Sequence, residues 1–431
     1  MKRISHSRPT RRQFLRNMAG TAIAAPLVIP ASALGAEGRP PPSERIVIGH
    51  IGMGWFGIND LKIFLQGDDV QNVAVCDVDR NMAAEAKKLV DAHYGHSDCK
   101  VYADFRELLD RGDLDAVSIA TPDHWHAIPT IEACRRGIDV HVEKPLSLTI
   151  REGRAMVQAA RRYGRVVQTG SEARSQAHVR FACELVRNGR IGKVQEVYVS
   201  GVGGPSSMTI LPEQPIPPEL DWDRWLGPAP WRPYNKGYHP RSWRGYYDFS
   251  GGGLTDWGAH HVDLTQWALG TDDTGPVQII PPDGKEHKFL TFVYASGVRV
   301  YHVLGGQPDV ELLSAVTVIG TEGRIGMRYG AFDKADPPSL MKEVIGANEI
   351  RLHECPPGGH ERGDFLTSVR NRSLPGADVE IGHRTCTVGH LAHIAYRLGR
   401  PLRWDPVQEV FPGDEEANTQ CGRAMREPWT L

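Results

Sequence analysis

The feature that most limits what this chain can fold into lies near residue 50. Arg45 to Ile51 is an apolar run of strand length, and it leads directly into Gly52-Met53-Gly54-Trp55-Phe56-Gly57, with a helix expected behind it. A G-x-G-x-x-G in that setting meets three geometric needs: a tight turn at the first glycine, close approach of backbone to a pyrophosphate at the second, and helix-strand packing at the third. The pattern alone is weak, but a second strand is expected at Asn72 to Val75. It ends in Cys76-Asp77, twenty residues beyond Gly57, where the acid that binds a ribose belongs. A carboxylate there accepts from ribose hydroxyls and repels a 2′-phosphate, which favours NAD over NADP.

Alternation then continues. Helices are expected near 80–93, 104–111, 127–136 and 150–163, and strands at 116–120 and 139–142. Repeated β-α units of this length predict an α/β fold, a doubly wound parallel Rossmann sheet over residues 45–165. Ligands of such sheets bind beyond the carboxyl ends of the strands. The informative residues are therefore Thr121-Pro122-Asp123-His124-Trp125-His126 and Glu143-Lys144-Pro145. Residues 166–431 are expected to form an α+β domain. It has a strand at 166–169, a helix at 176–188, a half-buried strand at 193–200, and strands near 287–296, 298–305 and 313–319 in a largely antiparallel open sheet.

The N-terminus reads differently. Thr10-Arg11-Arg12-Gln13-Phe14-Leu15-Arg16, a moderately apolar run from Met18 to Leu34 and the small residues through Ala36 resemble a twin-arginine export signal over 1–36, followed by a linker at 37–44. The expected address is periplasmic or exported, with the twin-arginine machinery as a partner. That segment holds six cations and no acid, so its removal takes the formal charge from −2 to −8, and nucleic acid is not an expected partner. The seven cysteines are scattered and never form C-x-x-C, which fits folding in a reducing compartment before export.

With these motifs in place, residues 44–431 resemble the Gfo/Idh/MocA oxidoreductases. The glycine loop, the Thr121-Pro122…His126 turn with Glu143-Lys144-Pro145, and Gly251-Gly252-Gly253-Leu254-Thr255-Asp256-Trp257-Gly258-Ala259-His260-His261-Val262-Asp263 carry the resemblance. It implies an NAD(P)-dependent enzyme acting on a sugar, sugar derivative or cyclitol. It also implies a cofactor wall at Thr121, Pro122, His124 and His126, a second domain that packs on a neighbouring subunit in a homo-oligomer, and His260 as general base.

The residues themselves point the same way. Lys144, just past a buried strand, places an ammonium where it can donate to a substrate hydroxyl and stabilise an oxyanion. Asp256 and His260 stand at i and i+4 of a helix expected to run to Leu269, so the carboxylate is expected to orient the ring and favour its protonated form. Helical phase separates the neighbouring histidines: His261 falls on a core stripe and His260 on a polar one. A metal site is not expected, because His124 and His126 have no sulfur or carboxylate at ligand spacing.

The Pro- and Trp-rich stretch from Val202 to Ser250 suits either a carbohydrate ring or a packed interface loop. Tyr238, Arg241 and Trp243 are substrate-contact candidates there, with Arg174 and His383 from elsewhere. Hydride transfer between nicotinamide C4 and a secondary alcohol carbon, with a tightly held and recycled cofactor, is the expected chemistry. A redox-neutral lyase or glycosidase that oxidises its substrate transiently, and a non-catalytic sugar- or NAD-binding protein, are the alternatives.

Overall fold

The expected strands of the first half are buried on both faces, as a parallel sheet between helix layers requires. A computed structural model of the chain describes residues 40–356 and 360–431; the expected signal over 1–36 lies outside the described residues. Ala-Val-Ser-Ile at β4 (Ala116–Ile119) and Asp-Val-His-Val at β5 (Asp139–Val142) have no exposed position. With β1 (Ile46–Ile51), β2 (Val70–Cys76), β3 (Lys100–Tyr102) and β6 (Val167–Thr169) they form a six-stranded parallel sheet in the order β3-β2-β1-β4-β5-β6. This is the Rossmann order, and it reverses between β1 and β4.

The helices between these strands are α1 (Trp55–Phe64), α2 (Arg80–Tyr94), α3 (Phe105–Leu109), α4 (Ala127–Arg135) and α5 (Ile150–Tyr163). Local chemistry sets their ends. Asp79 accepts from the backbone N–H of Asn81 and Met82 to start α2, and Gly95, at φ +73°, stops it. The expected boundary at residue 165 falls short, because β6 pairs with β5 in the parallel sheet.

The second half contains α6 (Ala177–Arg187), β7 (Val194–Val199), α7 (Trp222–Leu226), α8 (Gly253–Asp256), α9 (Gly258–Leu269), β8 (Gln278–Ile280), β9 (Leu290–Val293), β10 (Arg299–His302), β11 (Val316–Gly320), β12 (Arg324–Arg328), β13 (Ala331–Asp336), α10 (Glu361–Asn371), α11 (Val379–Leu398), β14 (Leu402–Arg403) and α12 (Glu415–Thr419). Its eight strands lie in the order β13-β12-β11-β7-β10-β9-β8-β14. Every neighbouring pair is antiparallel except β7 with β10, so the mostly antiparallel expectation holds with one parallel exception.

Helix α11 ties the halves together. Its Val379 and Cys386 enter the core of the parallel-sheet half, and Arg154 on α5 holds Glu380 in a bidentate pair at 2.7 and 2.8 Å. No helix among the described residues is long and apolar enough to cross a membrane.

Candidate active site

The three glycines of the loop are needed for different reasons. At Gly52, with φ +86°, a Cβ would lie 2.7 Å from Thr121 N; at Gly57 it would lie 1.9 Å from Gly52 O. Both are demanded by the protein's own packing. Gly54 is not: its φ of −65° suits any residue, and an added Cβ would meet nothing within 4 Å. Gly54 borders an open cleft, so its lack of a side chain is explained by something that must approach the backbone there. It also precedes α1, whose first turn has no side-chain cap, leaving backbone donors and the positive end of the helix dipole for an anion.

Asp77 stands at the carboxyl end of β2 and lines the same cleft. Its Oδ2 accepts from Met53 N at 2.6 Å and its Oδ1 from Asp79 N at 2.8 Å, so it braces the glycine loop as well as facing the cleft. Burial pushes its carboxyl up to about 6 against the pull of these N–H donors. An open glycine, an uncapped helix start and a cleft-facing carboxylate fit the pyrophosphate and ribose of a dinucleotide.

The cleft has a volume of about 850 Å³, within the range of small-molecule and cofactor sites. It runs from Asp77 past Gly54, Trp55, Phe56, Thr121 and Pro122 to Lys144, Asp256 and His260. Lys144 follows β5, and its side chain is 7% exposed. Its Nζ donates to Asp256 Oδ1 at 2.6 Å and to Asp256 O at 3.1 Å. Arg244 Nε lies 3.7 Å from the same carboxylate oxygen.

The expectation that Asp256 holds His260 is corrected here. The helix is interrupted at Trp257 between α8 and α9. Lys144 takes both the carboxylate and the carbonyl of Asp256, while only the backbone N–H of His260 is tied locally, donating to Trp257 O at 3.1 Å. Burial, followed by the nearby Lys144 ammonium and His261, holds the His260 imidazole well below its ordinary value. The ring is therefore neutral, contrary to the protonated form expected from the i,i+4 spacing. Its Nδ1 is buried without a partner, and its ring lies 4.6 Å from that of Tyr329.

Several expected contacts point away from the cleft. His124 Nε2 meets Trp225 O at 3.0 Å, and both ring nitrogens of His126 meet carbonyls, Pro145 O at 2.7 Å and Thr121 O at 2.8 Å. Burial lowers both imidazoles to about 4; a neutral ring has one N–H, so His126 donates to one of its two carbonyls, and these backbone contacts brace the turn while Thr121 and Pro122 face the cleft. Glu143 is buried beneath it, 3.3 Å from Arg362 Nη2. Arg174 is locked between Asp263 and Asp272. Tyr238 is buried with its hydroxyl accepting from Leu211 N at 2.6 Å, and His383 bonds Glu409 at 2.6 Å. Arg241 and Trp243 do line the cleft. His261 turns inward, with Nδ1 3.1 Å from Ser200 O.

Other cleft residues come from positions with no local signature. Tyr329, just after β12, donates to Glu172 Oε2 at 2.5 Å. Glu172 in turn meets Arg362, a buried guanidinium that also holds Asp60 of α1. Arg244 sits within the Trp- and Arg-rich run, which was the available signal for it. Among the described residues His124, His126, His260 and His261 gather no metal-ligand group. One such group, His353, Cys355 and Asp364, lies elsewhere.

Residues 46–171 match the family model described as oxidoreductase family, NAD-binding Rossmann fold, and residues 176–431 match oxidoreductase family, C-terminal alpha/beta domain. A 2,7-anhydro-N-acetylneuraminate hydratase of Mediterraneibacter gnavus is 32% identical over 144 residues, 33% of this chain and 36% of the relative. An alpha-N-acetylgalactosaminidase of Shewanella oneidensis is 33% identical over 175 residues, 35% and 37% of the two chains. The match thus spans about a third of the length of these curated relatives. The crystal structure of an aldose-aldose oxidoreductase from Caulobacter crescentus superposes with a TM-score of 0.58 at 18% identity, covering 83% of this chain and 99% of that one.

Proposed function

Because the chain belongs to the Gfo/Idh/MocA oxidoreductase family, we propose that it transfers a hydride between a nicotinamide dinucleotide and a secondary alcohol carbon of a sugar, sugar derivative or cyclitol. The observation that carries this reading is the meeting in one cleft of an open glycine at 54, a Lys144–Asp256 ion pair and His260. His260 accepts the proton of the substrate hydroxyl. With Nδ1 buried, Nε2 is the atom left to do so. Lys144 donates to the same oxygen and stabilises its alkoxide character, and Asp256 aims the ammonium. The nicotinamide, when bound, supplies the hydride acceptor and donor. Asp77 favours NAD over NADP by repelling a 2′-phosphate.

We further propose that the N-terminal segment resembling a twin-arginine signal directs this chemistry outside the cytoplasmic membrane, which would require the cofactor to be retained and regenerated within each cycle. Two regimes satisfy that condition: reduction of a second sugar, or a redox-neutral elimination in which oxidation acidifies a neighbouring C–H and is then reversed. The named activities of the hydratase and galactosaminidase relatives favour keeping the second. The test is to supply purified protein with aldoses, cyclitols and aryl glycosides while following nucleotide reduction and aglycone release. Lys144→Ala and His260→Ala are expected to abolish whichever activity appears. Full activity in Lys144→Ala would overturn the assignment.

A further inference from the structure

The long segment between β7 and α8 is not a loose loop. Leu220, Trp222, Trp225, Leu226, Tyr234, Tyr238, Trp243 and Phe249 form a buried cluster of their own, with Val78 packed against it. Its first end is stapled to the chain just past Asp77. Asp221 N donates to Val78 O at 3.0 Å, Arg80 N donates to Glu219 O at 3.1 Å, and Leu220 bridges to Asp79. Its middle is fastened to the turn after β4, where Trp225 O accepts from His124 Nε2 and from Trp125 Nε1 at 2.9 Å.

The far end reaches the glycine loop. The Arg241 guanidinium lies 5.4 Å over the ring of Trp55, and Arg244 lies 5.9 Å over Phe56. Trp55 and Phe56 are the two x residues between Gly54 and Gly57, and Trp55 is 58% exposed. Trp55 meets Phe56 edge to face at 4.8 Å within its own domain, and Arg241 from the other half of the chain lies over its ring. Arg224, Trp225, His239, Arg241 and Arg244 of the segment line the same cleft as Asp77 and Gly54.

We infer that residues 217–244 form a fixed roof over the dinucleotide groove, and that Arg241 on Trp55 is its latch, a cofactor-retaining contact rather than a sugar contact. This rests on the proposed dinucleotide-dependent reading. Arg241 places a cation in the cleft beside the glycine loop that would hold a pyrophosphate, and its stacking on Trp55 ties the segment to that loop. The device suits an enzyme that must keep its cofactor through every turnover.

The test measures nucleotide retention, not activity. NADH-loaded protein is diluted into excess ADP-ribose and the loss of nicotinamide fluorescence is timed, for the wild type and for Arg241→Gln and Trp55→Ala. Both positions are exposed, so the variants are expected to fold. Each is expected to raise the dissociation rate by at least about tenfold, roughly 1.4 kcal/mol, with Arg241→Lys intermediate and the sugar KM unmoved. Unchanged dissociation in both variants overturns the latch while leaving the cofactor reading intact. A wild-type protein that binds neither NADH nor NADPH overturns both.

Discussion

Substituting the glycines of the loop one at a time separates what the fold needs from what a ligand needs. In Gly57→Ala the new Cβ would lie 1.9 Å from a backbone carbonyl oxygen. Restoring ordinary contact moves the start of α1 by roughly 1 Å or more, and overpacking against backbone costs at least about 1–3 kcal/mol. Gly54→Ala meets no atom within 4 Å, and its φ of −65° is open to alanine. Its stability should stay level or rise by about 0.4–1 kcal/mol, because alanine restricts the unfolded chain. The same methyl fills the space where a pyrophosphate would sit. Loss of even one charge-assisted bond there is worth about 1.5–3 kcal/mol, or roughly 10- to 100-fold in affinity. Thermal melts without nucleotide and NADH fluorescence titrations read the two quantities separately. The expected result is a Gly54→Ala protein that melts like the wild type and binds NADH at least tenfold more weakly, beside a Gly57→Ala protein with a lowered melting temperature. Wild-type NADH affinity in Gly54→Ala would refute the reasoning.

Asp256→Asn removes the carboxylate that Lys144 holds at 2.6 Å and should lower kcat by about 10- to 100-fold with nucleotide content unchanged; equal loss of nucleotide would mean the pair is structural. Because His260 is held below its ordinary value of 6.5, the base stays neutral into mildly acidic solution, so the acid limb of kcat/KM should lie below pH 6.5. A limb above 6.5 would mean that a carboxylate, not burial and Lys144, sets the ring. Arg362→Met strands Asp60, Glu143 and Glu172 without their cation and should cost about 3–5 kcal/mol, read as a large drop in melting temperature. A wild-type melt would show that this buried network does not hold the cleft floor.

What the sequence revealed was what depends on local pattern. The glycine loop, Asp77 and Lys144 sit at strand ends, and strand ends are marked by runs of Val and Ile followed by Gly, Asp or Pro. Helical phase likewise separated His260, which faces the cleft, from His261, which bonds Ser200 O. The errors came from partners that arrive through space. Spacing put Asp256 beside His260, but Lys144, more than a hundred residues away, outcompetes a neutral ring for the carboxylate. His124 and His126 lie at a strand end, yet backbone carbonyls capture their rings. Arg174 looked available and is consumed by Asp263 and Asp272. Tyr329 and Arg362 had no local signal, because the hairpin after β12 and helix α10 bring them in.

The most direct test follows reduced-nicotinamide fluorescence in single turnovers, mixing NAD-loaded protein anaerobically with aldoses, cyclitols and glycosides that it consumes. With the wild type, fluorescence is expected to rise as substrate is oxidised, and to fall again if a second sugar or an elimination product takes the hydride back. Lys144→Ala and His260→Ala are expected to keep their nucleotide and stay dark. Consumption of a substrate by the wild type with no change in the nicotinamide at any time, or an undiminished signal in both variants, would contradict hydride transfer at this site.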